Sequence, residues 1–193
     1  VVIGIGKSAI IGKKLVATLN STGTPSVFIH AVEALHGDLG NIKKDDVVLF
    51  VSKSGNTKEL KKILLIIKEE KNITISMTAN RDSFLSLNSD YFLNSYVEKE
   101  ACPNDLAPTT STTAQLVLGD ALAICLLKLK GFSSNDFAKF HPAGMLGKKL
   151  TLKVKDIYSK NSKPTVELDD GFDKIILEIS SKRLGATVVV DKD

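Results

Sequence analysis

At 193 residues, with 43% hydrophobic and 25% charged side chains, the chain has the composition of a soluble globular protein, long enough for one full domain and part of another. Its formal net charge of +4 comes from scattered lysines, with Arg81 and Arg183 as the two arginines. Without clustered arginine or interleaved aromatics this does not describe a nucleic-acid surface; at most it favours a small anionic substrate. Cys102 and Cys125 stand in neither a CxxC nor a disulfide-framework spacing, and there is no signal peptide or run of ~20 apolar residues, so a reduced cytoplasm is expected and a membrane is not.

Val1–Ile5 reads as a buried strand, and Gly4-Ile5-Gly6-Lys7-Ser8 as the turn into a helix ending near Asn20. Because Val1 already lies inside the strand-like run, the natural amino terminus is expected upstream. The turn is not a Walker A loop: that motif needs a glycine where Val1 stands, and the next strand offers no acidic residue for magnesium. Gly4-x-Gly6-x-x-Ala9 matches a dinucleotide fingerprint on paper, but the second strand then ends in His30 where an acidic residue belongs.

The Gly23-Thr24-Pro25 turn launches the second strand, Ser26–Ile29. After it, His30, Glu33, His36 and Asp38 crowd a short loop segment. Such a set suits a metal or a sugar. The simpler reading, and the preferred one, is that His36 and Asp38 hydrogen-bond a tight turn before the third strand.

The stretch from Asp46 to Lys71 organises the domain. Val47–Val51 is an unbroken apolar run, short and β-branched, as in a strand buried on both faces. It ends in Ser52-Lys53-Ser54-Gly55-Asn56-Thr57, followed at once by a helix whose buried stripe is Leu60, Ile63, Leu64 and Ile67. A strand, a hydroxyl-rich turn and a helix N-terminus place free N–H groups and the positive dipole end together, which suits a phosphate. An ordinary βα turn with a capping box, Asn56 at N-cap and Glu59 at N3, fits equally well.

Strand four is Ile73–Thr78 and strand five lies near Tyr91–Asn94. Five βα repeats predict an α/β fold: a five-stranded parallel sheet flanked by helices, with right-handed crossovers. Ligands of such sheets sit beyond the carboxyl ends of the strands, which gathers Lys7, His30 and Ser52–Thr57 onto one rim. A hydroxyl run, Thr109 to Thr113, opens a long helix over Thr110–Lys130, ended by Gly131. Its middle is apolar almost all round, so it must be buried on several faces, by a subunit interface or at the centre of a domain. His141 follows in a loop rich in turn formers. From Leu152 the pattern restarts, with an amphipathic helix near Phe172–Ser180 and a strand at Thr187–Val190. So short a piece rarely stabilises itself, and it reads as the opening of a second domain.

Several motifs now stand in order: Gly4–Ser8, Thr22-Gly23-Thr24-Pro25, His30-x-x-Glu33-Ala34-x-His36-Gly37-Asp38-Leu39-Gly40, Ser52-x-Ser54-Gly55-x-Thr57-x-Glu59, Glu100-Ala101-Cys102-Pro103, Leu106 through Ala114, and His141-Pro142-x-Gly144-x-Leu146-Gly147. Together they closely resemble the arabinose-5-phosphate isomerases of the sugar isomerase (SIS) domain family over roughly Val1–Leu150, and Leu152–Asp193 resembles a first CBS motif. The implied organisation is a flavodoxin-like SIS domain at 1–150 and a partial CBS domain at 151–193. Three departures stand out: Ala143 where glycine is usual, Lys53 where asparagine is common, and no N-terminal helical segment.

The resemblance implies a cytoplasmic homo-oligomer, of tetramer type, that interconverts D-ribulose 5-phosphate and D-arabinose 5-phosphate for synthesis of Kdo and surface lipopolysaccharide. It further implies Lys7, Glu59, Glu100 and His141 as catalytic residues. Glu59 or Glu100 would be the carbon base, His141 would handle oxygen protons or ring opening, and Lys7 would stabilise the oxyanion. Gly23, Thr24, His30, His36, Ser52, Ser54, Gly55, Thr57, Thr109, Thr110, Ser111 and Thr112 would bind substrate. No cofactor is required by this chemistry; zinc at His30 would inhibit, and a nucleotide or nucleotide-sugar effector would act through the CBS part. The alternatives are a SIS isomerase for another sugar phosphate and a non-catalytic sugar-phosphate or nucleotide-sugar sensor. Retention of the four proton-transfer candidates argues against the sensor.

Overall fold

The computed structural model describes residues 1–142, 148–149, 152–158 and 163–191. The chain forms two compact units, Val1–Phe140 and His141–Asp193, parting ten residues before the boundary expected at 150.

The first unit is a five-stranded sheet in the order β2-β1-β3-β4-β5. Its strands are β1 (Val2–Gly4), β2 (Phe28–His30), β3 (Val48–Val51), β4 (Thr74–Thr78) and β5 (Tyr91–Asn94). Every pairing is parallel. The second strand thus begins and ends later than its apolar run suggests, because pairing starts only where Phe28 meets Val2 and carries on through His30 opposite Gly4.

Alternation along β3 shows how the helices cover both faces. Val48 and Phe50 join Ile3, Ile29 and the α3 (Lys58–Glu69) residues Leu60, Ile63, Leu64 and Ile67 on one side. Leu49 and Val51 join Val2, Met77, Leu15, Leu19 and Ala123 on the other, where α1 (Gly6–Ser21) and α5 (Thr110–Leu129) lie. Two-sided burial is why these strands are continuously apolar rather than alternating. Two short helices, α2 (Ala31–Ala34) and α4 (Phe84–Asn88), complete the α3 face.

Helix α5 buries one stripe: Ser111, Gln115, Gly119 and Ala123. Gly119 lets Leu15 of α1 approach closely, since a methyl group there would sit 3.2 Å from Leu15 Cδ1. Leu118, Leu122 and Leu126 pack partly against that core, while Val117 and Ile124 face away, 62% and 54% exposed. The expectation that α5 is buried on several faces therefore does not hold within the unit, and the centre-of-domain explanation falls. Among the described residues α5 is the one helix long and apolar enough to cross a membrane by length and composition, and it packs along α1.

After α6 (Ser134–Phe140) the second unit holds α7 (Val154–Tyr158), β6 (Thr165–Glu167), α8 (Phe172–Lys182) and β7 (Val188–Val190). β6 and β7 pair in parallel, so α8 is the crossover of a βαβ unit.

Candidate functional site

The strand order 2-1-3-4-5 has its switch point between β1 and β3, where the connections leave toward opposite edges and opposite faces of the sheet. Crevices at such points receive ligands. Register sets the rim: Gly4 lies level with His30 on one side and with Val51 on the other. The turns Ile5–Ser8 and Ser52–Thr57 therefore open beside one another, each leading into a helix.

Both helix ends are open. The N-cap of α1 is Ile5, which has no side chain able to cap, and no acidic residue occupies the first turn. The N-cap of α3 is Thr57, with no capping hydrogen bond from its side chain. The capping box expected at Asn56 and Glu59 is thus corrected. The helix begins one residue later, and the Asn56 amide bonds away from it, accepting from Phe84 N–H at 3.1 Å and donating to Ser54 O. The leading N–H groups of α3 are left without side-chain partners, as an incoming anion requires.

The turn between β3 and α3 is pinned from behind. Ser52 Oγ accepts from Gly55 N–H at 3.2 Å and contacts Thr57 Oγ1 at 3.3 Å. Ser54 Oγ accepts from Asn56 N–H. Lys53 O accepts from Ala79 N–H and Thr78 Oγ1, both at 3.0 Å, and Gly55 O accepts from Leu85 N–H at 3.0 Å. Gly55 itself has φ +64°, backbone that a side chain would strain. A turn held on three sides presents its hydroxyls and N–H groups without further ordering cost.

Lys7 projects, exposed, from the first turn of α1. Glu59 is half-buried in the first turn of α3, and its carboxylate has no hydrogen bond or ion pair with another described residue. Glu100 is the opposite case, with its side chain fully buried. Its Oε2 accepts from Thr109 N–H at 2.8 Å and Ser111 N–H at 3.0 Å, and its Oε1 accepts from the Ser111 hydroxyl. Lys53 Nζ lies 2.7 Å from Oε1. Lys53 first, then the Ser111 hydroxyl and the two backbone donors, hold this carboxyl well below the usual carboxylate range against the opposing effect of burial.

Not every expected substrate contact reaches the rim. Ser111 is buried and turned to Glu100. Thr109 Oγ1 accepts from Ala101 N–H and lies 3.3 Å from both Glu100 Oε2 and Ala107 O, and Thr112 Oγ1 donates to Thr109 O. The run thus bonds largely to its own helix end and to Glu100, and Thr110 stays exposed with no such bond. Gly23 and Thr24 lie in the turn between α1 and β2, at the amino edge of the sheet, and there they bind Lys130 Nζ. A chain returning from α1 to start β2 has to pass that edge, so one subunit does not carry both residues to the rim.

His30 closes β2 on the rim, and its Nδ1 accepts from Val32 N–H at 3.4 Å as cap of α2. His36 is exposed in the turn after α2. Among the described residues no group of three or more His, Cys, Asp or Glu side chains is arranged for a metal, so zinc at His30 does not fit a closed site within one subunit. His141 opens the second unit and is described with it; the motif residues 143–147 lie outside the described residues.

Lys53 is the residue that sequence reasoning passed over. It registered only as a departure from asparagine, because nothing local announces a partner in the loop after β5.

This is a doubly wound α/β domain with an anion-ready helix terminus at its switch point. The family model for the SIS domain matches residues 1–125, and the chain belongs to the SIS domain family. It is 52% identical over 194 residues to arabinose 5-phosphate isomerase KdsD of Francisella tularensis, a match covering 100% of this chain and 59% of that protein. To arabinose 5-phosphate isomerase KdsD of Pseudomonas aeruginosa it is 51% identical, over 100% of this chain and 59% of the relative. The chain thus spans about three-fifths of the length of the curated relatives it matches. Among solved structures, an Escherichia coli protein in complex with arabinose 5-phosphate superposes with a TM-score of 0.71 at 48% identity, covering 73% of this chain and 75% of that one.

Proposed function

We propose that the chain is the catalytic part of an aldose–ketose isomerase that interconverts D-ribulose 5-phosphate and D-arabinose 5-phosphate. The observation that carries this reading is the open amino terminus of α3 with an unengaged carboxylate, Glu59, in its first turn. A phosphate on the leading N–H groups, Ser54 and Thr57 would fix one end of a short sugar. Moving a carbonyl between C1 and C2 then needs a base to take a carbon-bound proton and return it to the neighbouring carbon. It also needs positive charge for the enediolate oxygen. Glu59 and Lys7 supply these roles, and His141 the oxygen protons. The named relatives support the choice of sugar.

The finer reading extends this. The product feeds Kdo and surface polysaccharide synthesis in the cytoplasm, no metal takes part, and the enzyme is a tetramer. Residues 151–193 are the first part of a CBS module, a reading supported by the βαβ unit of β6, α8 and β7. A nucleotide or nucleotide-sugar effector would bind there. Incubation with ribulose 5-phosphate and product analysis tests the central claim: arabinose 5-phosphate is expected, and its absence alongside active controls overturns the reading.

A further inference from the structure

Two glutamates compete for the role of carbon base, and the surroundings of Glu100 separate them. A carboxylate offers about four lone-pair directions, and here five donor groups crowd them: Thr109 N–H and Oγ1, Ser111 N–H and Oγ, and Lys53 Nζ. None remains for a proton arriving from carbon. Accepting one would take the ion partner from the half-exposed Lys53 ammonium and set two backbone N–H groups against a neutral acid at a fully buried side chain, which weakens the hydrogen bonds that hold it.

These donors come from two separate loops. Lys53 belongs to the turn after β3, and Thr109 and Ser111 belong to the amino end of α5. The Glu100 carboxylate also serves α5 as the N-terminal cap that Thr109 does not provide.

We propose that Glu100 is a positioning residue and not the carbon base, and that its ion pair with Lys53 latches the phosphate turn to the amino terminus of α5. This rests on the isomerase reading above, and it assigns the base role to Glu59. Because Glu100 neutralises it, the Lys53 ammonium contributes geometry to the turn rather than net charge to the phosphate. The low proton affinity of Glu100 agrees, since so weak a base removes a carbon-bound proton poorly.

The test is a double-variant cycle on the full chain with Lys53→Asn, Glu100→Gln and both together. It is read by inorganic phosphate affinity, by KM and kcat for ribulose 5-phosphate, and by the pH profile of kcat/KM. The latch predicts that each single variant weakens phosphate binding and raises KM, by about 10- to 100-fold. It predicts that the double variant is no worse than Glu100→Gln alone, and that the acid limb of kcat/KM stays in place in Lys53→Asn. An acid limb that moves upward in Lys53→Asn shows Glu100 titrating in catalysis and overturns the proposal. So does a Lys53→Asn effect that persists undiminished in the Glu100→Gln background, since Lys53 then acts on the anion directly. If the wild-type chain does not isomerise ribulose 5-phosphate, the isomerase reading fails by itself, and the phosphate-binding cycle still decides the latch. Should Glu100→Gln fail to fold, Lys53→Asn and Lys53→Met carry the decision. Equal loss of phosphate affinity in both upholds the latch, and wild-type affinity in either overturns it.

Discussion

Gly55 packs directly against Ser83: a methyl group on Gly55 would overlap the Ser83 hydroxyl and lie 2.7 Å from Thr78 Oγ1. The turn between β3 and α3 is thereby seated on the β4–α4 connection. With φ at +64°, position 55 combines a steric and a conformational demand. Gly55→Ala is expected to lower stability by about 1–3 kcal/mol and to weaken inorganic phosphate binding by more than the Tm loss accounts for. Calorimetry and phosphate titration on one preparation check this; unchanged phosphate affinity would separate the turn from the anion site.

Glu59→Gln keeps the shape of the first turn of α3 and removes its only acidic group. As loss of a general base, it is expected to lower kcat by about 10²–10⁴-fold with KM little changed, and to abolish exchange of the substrate C–H proton with deuterated solvent. Retained exchange would reduce Glu59 to a helix-terminus charge.

Ser54→Ala combined with Thr57→Ala removes two hydroxyls from the mouth of α3 and leaves its N–H groups in place. KM is expected to rise about 10-fold or more while kcat falls less, because hydrogen bonds to a charged phosphate contribute about 1.5–3 kcal/mol each. Steady-state kinetics decide the matter, and an unchanged KM places the phosphate elsewhere.

How far the chain itself announced this site varies with the range of the interactions involved. The α3 stripe of Leu60, Ile63, Leu64 and Ile67 was legible because burial follows helical period, and all four are buried. The rim was legible too, since a parallel sheet allows only one edge for the βα turns. The capping box misled because the partner of Asn56 is Phe84 N–H, a tertiary contact absent from any local pattern. The hydroxyl run misled for a similar reason: Ser111 answers to Glu100, which itself answers to Lys53 on another loop. Gly23 and Thr24 were placed by resemblance, although the path from α1 to β2 already located them at the opposite edge of the sheet.

Acid should expose the buried carboxylate. The proton affinity of Glu100 is depressed in the folded state, relative to about 4.3 for an unfolded glutamate. Between the folded value and that figure the unfolded chain binds more protons, so this contribution to stability is complete above about pH 4.3 and is lost as pH falls below it. Lys53→Asn removes the largest cause of the depression. The Tm difference between wild type and Lys53→Asn is therefore expected to be greatest near neutrality and to narrow below about pH 4. Parallel Tm curves from pH 7 down to pH 3 would show that Lys53 does not control the Glu100 proton.

The outer face of α5 carries the last expectation. A helix that fully buries Ser111, Gln115, Gly119 and Ala123 while exposing Val117, Ala121 and Ile124 leaves an apolar stripe on its outer face. Exposed Ile10, one helix away on α1, extends the same apolar character. Nothing in the first unit covers these side chains, and a second copy of the chain offers a matching face. Val117→Glu together with Ile124→Glu is expected to lower the oligomer mass by light scattering while leaving the far-ultraviolet spectrum of the subunit intact. Mixing then asks whether assembly completes the site. Lys7→Ala and His141→Ala subunits, each inactive alone, should regain part of the wild-type activity when co-expressed, because random pairing restores some sites carrying both residues. If the co-expressed subunits assemble together and stay inactive, Lys7 and His141 serve one chain's own site and assembly through α5 does not complete it.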